Sequence, residues 1–452
     1  MIPRYSRPEM AAVWSEENKF ASWVRVEVAA VQAWADMGVV PREAADKIAR
    51  NASFRVADIE RYEREMHHDM NSFLRSVADS LGEESRWVHL GLTSYDTEDP
   101  ATGLRLAEAA DILLDDLRQL EEAITARAIE HKDTLCMGRT HGMHAEPITF
   151  GLKLLNWLDE VRRDRVRLEA ARKDVAVGKL SGPVGSHATV PPELEERVCQ
   201  KLGLGVDAVS TQVVSRDRHA HFVQTLALVG ASLERFATEV RHLQRTEVGE
   251  AEEPFSGGNV DLHLRPIEGR GEAEATHQQG SSSMPHKRNP EKSERVCGLA
   301  RVLRANSVAA LENVALWHER DISNSSSERV ILADSCLALD YILNLFTQIV
   351  RGLVVYPQRM RENMELSRGV VFSQRILLAL VEKGMSRQDA YLIAQRAGHV
   401  AINERRPFRE TLAEEPEVTR RFTPTDLDEL LDYAYFTREV DKSFARMGLL
   451  QS

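Results

Sequence analysis

Aromatic side chains are scarce, at 6% of 452 residues, and alternating strand-like runs are scarcer still. Ala, Leu, Glu and Arg abound instead, a balance that favours helix. The four cysteines, Cys136, Cys199, Cys297 and Cys336, lie far apart without metal-ligand spacing. They read as free, buried thiols in a reducing cytoplasm. There is no run of about 18 apolar residues to span a bilayer, and Met1 to Arg7 lack the apolar core of a secretory signal. Positive charge is in deficit: a formal net charge of −12 argues against a general nucleic-acid or membrane-surface binder. Basic residues can still cluster locally around an anionic substrate. The expectation is a cytoplasmic protein with no nucleic-acid and no membrane partner.

A chain of this length exceeds the usual single core, so two or three domains or an elongated one are expected. Apolar residues recur at three- and four-residue steps through five segments: Leu104 to His131, Ile148 to Lys179, Arg216 to Val248, Glu291 to Asn313, and Glu328 to Val354. Helices this long belong to bundles or coiled coils. Shorter pieces flank them, broken near Pro41, Ser53, Pro407 and Pro424. The expected fold is all-α in three helical domains: an amino-terminal part (1–103), a central long-helix bundle (104–364) and a carboxy-terminal part (365–452). No internal repeat is evident.

The most informative stretch is Gly280-Ser281-Ser282-Ser283-Met284-Pro285-His286-Lys287-Arg288-Asn289-Pro290. Exposed hydroxyls, a lysine and an asparagine precede a helix whose first turn suits Pro290. Together with a helix N-terminus they could stabilise negative charge that develops during a reaction; a Ser-rich surface loop is the plainer reading. The stretch resembles the signature of the fumarase/aspartase superfamily, whose members release fumarate or a close relative and need neither metal nor organic cofactor. The resemblance implies that the central bundle tetramerises and that each active site draws on three subunits.

Other segments resemble elements of one branch, the adenylosuccinate lyases, in the family's order. Met137 to Pro147 contains His141 and His144 beside Arg139 and Glu146, a setting that can tune an imidazole toward neutrality. A capping loop histidine or a metal pair would be the other readings, though no third ligand stands nearby. By resemblance His141 is the general acid. The His89-to-Asp96 stretch resembles an element whose Thr93–Ser94 pair holds a substrate carboxylate, with His89 and Met284 also at the substrate. Met66 to Asp69 nominates His68 beside the catalytic site, against the plainer reading of an exposed helical histidine. Arg4 and Tyr5, together with Arg320, Ser325 and Arg329, resemble the family's phosphate-binding groups, and guanidinium forks suit a phosphate dianion. A solvated charged turn is the alternative for the latter segment. Gln212 matches a substrate-contacting glutamine. By the same resemblance Ser281 is the base, Lys287 and Asn289 stabilise the carbanion, and Glu294 orients Lys287 or His141.

Three departures stand out. Many relatives carry a small or polar residue in place of Tyr95, and often histidine in place of Asn324. Residues 256–279 form an insertion of about twenty residues, rich in Gly and charge, before the signature. It reads either as a tolerated surface insertion or as a segment whose His263, Arg265 or Arg270 alters substrate choice. The activity implied is elimination of fumarate from adenylosuccinate and from succinyl-carboxamide ribotide. Alternatives are a related fumarate-releasing lyase or cycloisomerase with another substrate, and a silent structural oligomer.

Overall fold

The computed structural model describes residues 1–255, 283–284 and 286–450. Ser281, Pro285 and the 256–279 insertion with His263, Arg265 and Arg270 therefore lie outside the described residues. The all-α expectation holds. Five long helices run over Ser94–Glu130, Phe150–Val175, Asp217–Leu243, Glu291–Glu312 and Ser323–Gly352. Strands among the described residues are confined to short pairs: Leu135–Thr140 with Met143–Thr149, Val177–Gly178 with Gly205–Val206, and Ala251–Glu252 with Val354–Val355.

Two helices begin earlier than periodicity predicts. The first starts at Ser94, not Leu104, and runs through Pro100. Pro100 and Gly103 look like breaks in sequence, yet both are packing devices. A Cβ on Gly103 would stand 2.6 Å from the Val177 carbonyl oxygen, and one on Gly178 would meet the Pro100 ring at 3.3 Å. Close backbone approach, not flexibility, explains these residues. The last long helix starts at Ser323 instead of Glu328, so Ser325 and Arg329 occupy its first turns. This helix also holds an 18-residue window of mean hydropathy 1.5, the one such window among the described helices, but 72% of it is buried inside the protein. It reads as a core helix.

The chain forms two compact units, each assembled from three segments. Unit 1 comprises Met1–Gln119, Val161–Arg235 and Arg295–Leu345. Its amino-terminal core grows from the Glu16–Asp36 helix, which Ser15 caps by accepting the Asn18 N–H at 3.1 Å. That helix buries Phe20, Trp23, Val26 and Ala30 at three- and four-residue steps. Phe20 stacks on Phe73 with centroids 5.9 Å apart, and Trp23 meets the same ring edge-on at 5.2 Å.

Unit 2 comprises Leu120–Glu160, Phe236–Glu294 and Phe346–Ser452. Trp157 stacks on Phe236 at 5.0 Å, with Phe346 against both rings. A second cluster joins Ile376, Leu380, Phe408 and Leu412 to Met137 of the first strand. That anchor matters, because Met137 belongs to the hairpin that carries His141. All four cysteines are buried.

Candidate active site

In unit 2, Leu135–Thr140 and Met143–Thr149 pair antiparallel, with Thr140 opposite Met143. Only His141 and Gly142 remain for the turn, at φ 54° and 76°. Two consecutive positive φ values define the tight turn that matches strand twist. His141 accordingly stands exposed at the hairpin tip. His144 lies below, partly buried; burial and the neighbouring Arg139 lower its pKa, while Glu250 works against them. Arg139 makes a bidentate pair with Glu250, its Nη1 and Nη2 donating at 2.9 and 2.5 Å. Asn363 donates to the same buried carboxylate at 2.8 Å.

Glu250 lies in a five-residue buried segment, 249–253, that also organises the signature. Arg288 pairs with Glu252 at 3.1 Å, and the Tyr356 hydroxyl donates to Glu252 at 2.5 Å. Glu253 accepts the backbone N–H groups of Lys292 and Ser293 at 3.0 and 2.9 Å, and the Ser293 hydroxyl at 2.9 Å. This corrects the sequence-based reading of the helix N-terminus. Its donors at Lys292 and Ser293 are already occupied by Glu253, so the helix end serves the protein's own carboxylate. Pro290 also lies just before the helix, its carbonyl accepting the Glu294 N–H at 2.9 Å. Above this support, Met284, Lys287, Asn289 and Glu294 line a cleft of about 700 Å³ with Arg241 and Arg245 on its wall.

Unit 1 gathers a different set. Gln212 accepts from Arg320 Nη1 at 3.0 Å and donates to the Pro183 carbonyl at 3.2 Å. Arg320 lies over the Tyr95 ring at 3.7 Å. The Tyr95 hydroxyl meets Ser325, and burial pushes its pKa up. Arg329, one helical turn beyond Ser325, pairs with Asp69 at 2.5 Å. His68 caps the Asp69–Leu81 helix, its Nδ1 accepting from the Asn71 N–H at 3.3 Å. Behind them Arg216 holds Asp99 at 2.8 Å and Glu328 at 2.9 Å. Asn324 is fully buried and donates to Glu328 at 3.1 Å, whereas Trp317 and Ile322 before it are exposed. Glu98 borders the same cavity as Arg329; burial, then Asp69 and Asp99, raise its pKa to about 8 against Arg329 and Arg320.

Thr93 and Ser94 open the Ser94–Glu130 helix, with the Thr93 N–H donating to Asp96 at 2.9 Å. Asp96 also pairs with Lys179 at 2.6 Å, both side chains wholly buried. Lys179 donates further to the carbonyls of Gly182 and Gln212 at 3.1 and 2.9 Å. One ion pair thus ties the Thr93 turn, the 181–182 loop and Gln212 together. His89 is fixed by Glu27, which accepts from its backbone N–H at 2.8 Å and lies 2.7 Å from its Nδ1. Burial lowers the His89 pKa, but the hydrogen bond and charge of Glu27 outweigh it and the net shift is upward.

The expected site residues are divided between the two units. Gln212, Arg320, Ser325, Arg329 and the Thr93 turn share unit 1; Lys287, Asn289, Met284 and Glu294 share a cleft of unit 2; His141 stands on its hairpin. Arg4 and Tyr5 belong to unit 1, but Tyr5 packs on Tyr341 with centroids 5.3 Å apart. Position 341 is twelve residues along the helix from Arg329, roughly 18 Å. Sequence reasoning missed Glu27, Lys179, Glu250 and Glu253. The available signal was a charged residue embedded in an apolar face: Glu27 within Val24-Arg25-Val26-Glu27-Val28, and Lys179 between Gly178 and Leu180.

The sequence profile of the lyase family matches residues 4–259, and that of the adenylosuccinate lyase C-terminus matches residues 369–447. Among solved structures, fumarate lyase from Mesorhizobium sp. BNC1 superposes with a TM-score of 0.86 at 26% identity, covering 98% of this chain and 99% of that one. The 3-carboxy-cis,cis-muconate lactonizing enzyme of Pseudomonas putida gives 0.85 at 27% identity, covering 98% and 96%. Fold and signature therefore define an all-α lyase of the fumarase/aspartase superfamily. Adenylosuccinate lyase of Aquifex aeolicus (strain VF5) is 50% identical over 450 residues, with 99% of both chains covered. That of Bacillus subtilis (strain 168) is 47% identical over 449 residues, 99% of this chain and 100% of the relative. The chain belongs to the adenylosuccinate lyase family.

Proposed function

We propose that this lyase eliminates fumarate from adenylosuccinate, leaving AMP, and from succinyl-carboxamide ribotide by the same chemistry. The observation that carries the substrate reading is Arg320. Its Nη1 is engaged by Gln212, while Nε and Nη2 are buried with no hydrogen-bond partner among the described residues. Those two N–H groups form one edge of the guanidinium, the geometry that receives an oxyanion side-on. Ser325 and Arg329 stand beside it, and a phosphate-free substrate would leave these donors without purpose.

In the reaction, Ser281 acts as its alkoxide, favoured by the Lys287 charge, and takes the proton from the carbon next to a substrate carboxylate. The electron pair spreads onto that carboxylate, where Lys287 and Asn289 meet the added charge. The carbon–nitrogen bond then breaks, the fumarate double bond forms, and His141 on the opposite face protonates the departing nitrogen. Exposure of His141 on a rigid hairpin suits a donor that must reach a shared site. Glu294 orients Lys287 or His141, and His68 and His89 flank the reacting centre. Thr93 and Ser94 hold the carboxylate with Met284 nearby, while Arg4 and Tyr5 complete the phosphate site. By the family resemblance the protein is a homotetramer in which three subunits furnish each site. Its protomer is divided into domains 1–103, 104–364 and 365–452, and the enzyme works in the cytoplasm on small-molecule substrates.

The test is an ultraviolet assay on adenylosuccinate. Ser281→Ala should abolish turnover, and Arg329→Ala should chiefly raise KM. A wild-type enzyme that releases no AMP and fumarate would instead point to another fumarate-yielding substrate.

A further inference from the structure

We infer that Tyr95 is a positioning residue for the substrate's phosphoryl group, holding the Arg320 fork and Ser325 in place before substrate arrives. This rests on the phosphate reading of Arg320 above. Tyr95 is only 7% exposed and lies in the second position of its helix, where the backbone is rigidly placed. Its ring covers one face of the Arg320 guanidinium at 3.7 Å, and its hydroxyl meets Ser325. One side chain thus touches two of the expected phosphate groups.

The remaining contacts fix what the stack does. Gln212 takes one terminal nitrogen of Arg320 at 3.0 Å, and Gln212 is itself tied through its carbonyl to the buried Lys179 at 2.9 Å. Among the described residues Arg320 forms no salt bridge with a carboxylate, unlike Arg329 with Asp69 or Arg216 with Asp99. A long side chain held by a single amide would sample many rotamers. The aromatic face removes that freedom and shields the cation from water without using any N–H group. Its Nε and Nη2 therefore keep no hydrogen-bond partner among the described residues, where an acidic partner would have taken them. A smaller residue at position 95 could not cover the guanidinium in this way.

The experiment compares wild type, Tyr95→Phe and Tyr95→Leu by binding of AMP, adenosine and inorganic phosphate, and by steady-state turnover of adenylosuccinate. Tyr95→Leu should weaken AMP and raise KM about thirtyfold, the scale of a desolvated cation–aromatic contact, with kcat within about twofold and adenosine binding unchanged. Tyr95→Phe keeps the ring and should restore most of the AMP affinity. The inference is overturned if Tyr95→Leu binds AMP as wild type does, or if it weakens AMP and adenosine equally, which marks a general packing role. It is also overturned if the wild type shows no preference for AMP over adenosine. Absence of adenylosuccinate turnover by a wild type that still binds AMP and phosphate would refute the proposed reaction and leave the Tyr95 comparison intact.

Discussion

Replacing Lys179 with methionine offers the most direct test of how this site is held together. The ammonium and the Asp96 carboxylate are 2.6 Å apart and both fully buried. Removing the cation leaves Asp96 with the N–H groups of Thr93, Ser181 and Gly182 at 2.9, 3.1 and 3.2 Å. It also strips the carbonyls of Gly182 and Gln212 of their donor. Breaking one half of a buried pair costs about 3–5 kcal/mol; the three N–H donors offset part of that, and the orphaned carbonyls add to it. We expect about 4 kcal/mol. At about 2.1 cal/mol/K per residue, a chain of 452 residues melting as one unit would lose about 4 °C, and more if a smaller part melts alone. Because Thr93 and Gln212 both hang on this pair, KM for adenylosuccinate should rise with the loss of stability. Differential scanning calorimetry of Lys179→Met, Asp96→Asn and the double variant checks the reasoning. The double variant should be less destabilised than the sum of the singles, since it leaves no unpaired charge. A Tm shift below about 1 °C, or strict additivity, would refute it.

Two further outcomes follow from buried carboxyls. Glu253→Ala removes three hydrogen bonds from the start of the Glu291–Glu312 helix and should cost about 2 kcal/mol, the upper range for a lost cap. Because the same turn supports Lys287 and Asn289, kcat should fall more than KM rises, as steady-state kinetics would show. Glu98 sets a pH dependence: its pKa is raised to about 8 in the folded state, against about 4.3 unfolded. The folded protein thus retains a proton that the unfolded chain releases, and this group's contribution to stability declines as pH climbs from about 4.3 to about 8, then levels off. Glu98→Gln has no such decline, so its melting temperature relative to wild type should rise between pH 5 and pH 8. A constant difference across that window would contradict the assignment.

Much of this protein was legible in its residues because helical periodicity and short motifs are local. Apolar residues three and four apart have to share a helix face, so the five long helices and the all-α class could be read directly, and three of them to within a few residues. The signature, the hairpin histidines and the Thr93–Ser94 turn are contiguous, and contiguity makes a motif recognisable. Boundaries failed where a local rule was overridden by packing: Pro100 and Gly103 looked like a stop, yet they admit the Val177 carbonyl and the Gly178 backbone beside a continuous helix.

What only tertiary structure decided is how these pieces are supported. Glu253, on the near side of the insertion, caps a helix on its far side; Lys179 meets Asp96 from a distant part of the chain; and Tyr95, on the Ser94–Glu130 helix, covers Arg320 in the loop before Ser323. Such pairings depend on where the backbone returns, and nothing in residue spacing encodes that. A buried charge must find its partner wherever folding brings one. The sequence by itself determined the helices, the lyase signature and the chemical types at the site. The fold determined which carboxylate each cation meets, and which guanidinium edge is left without a hydrogen-bond partner among the described residues.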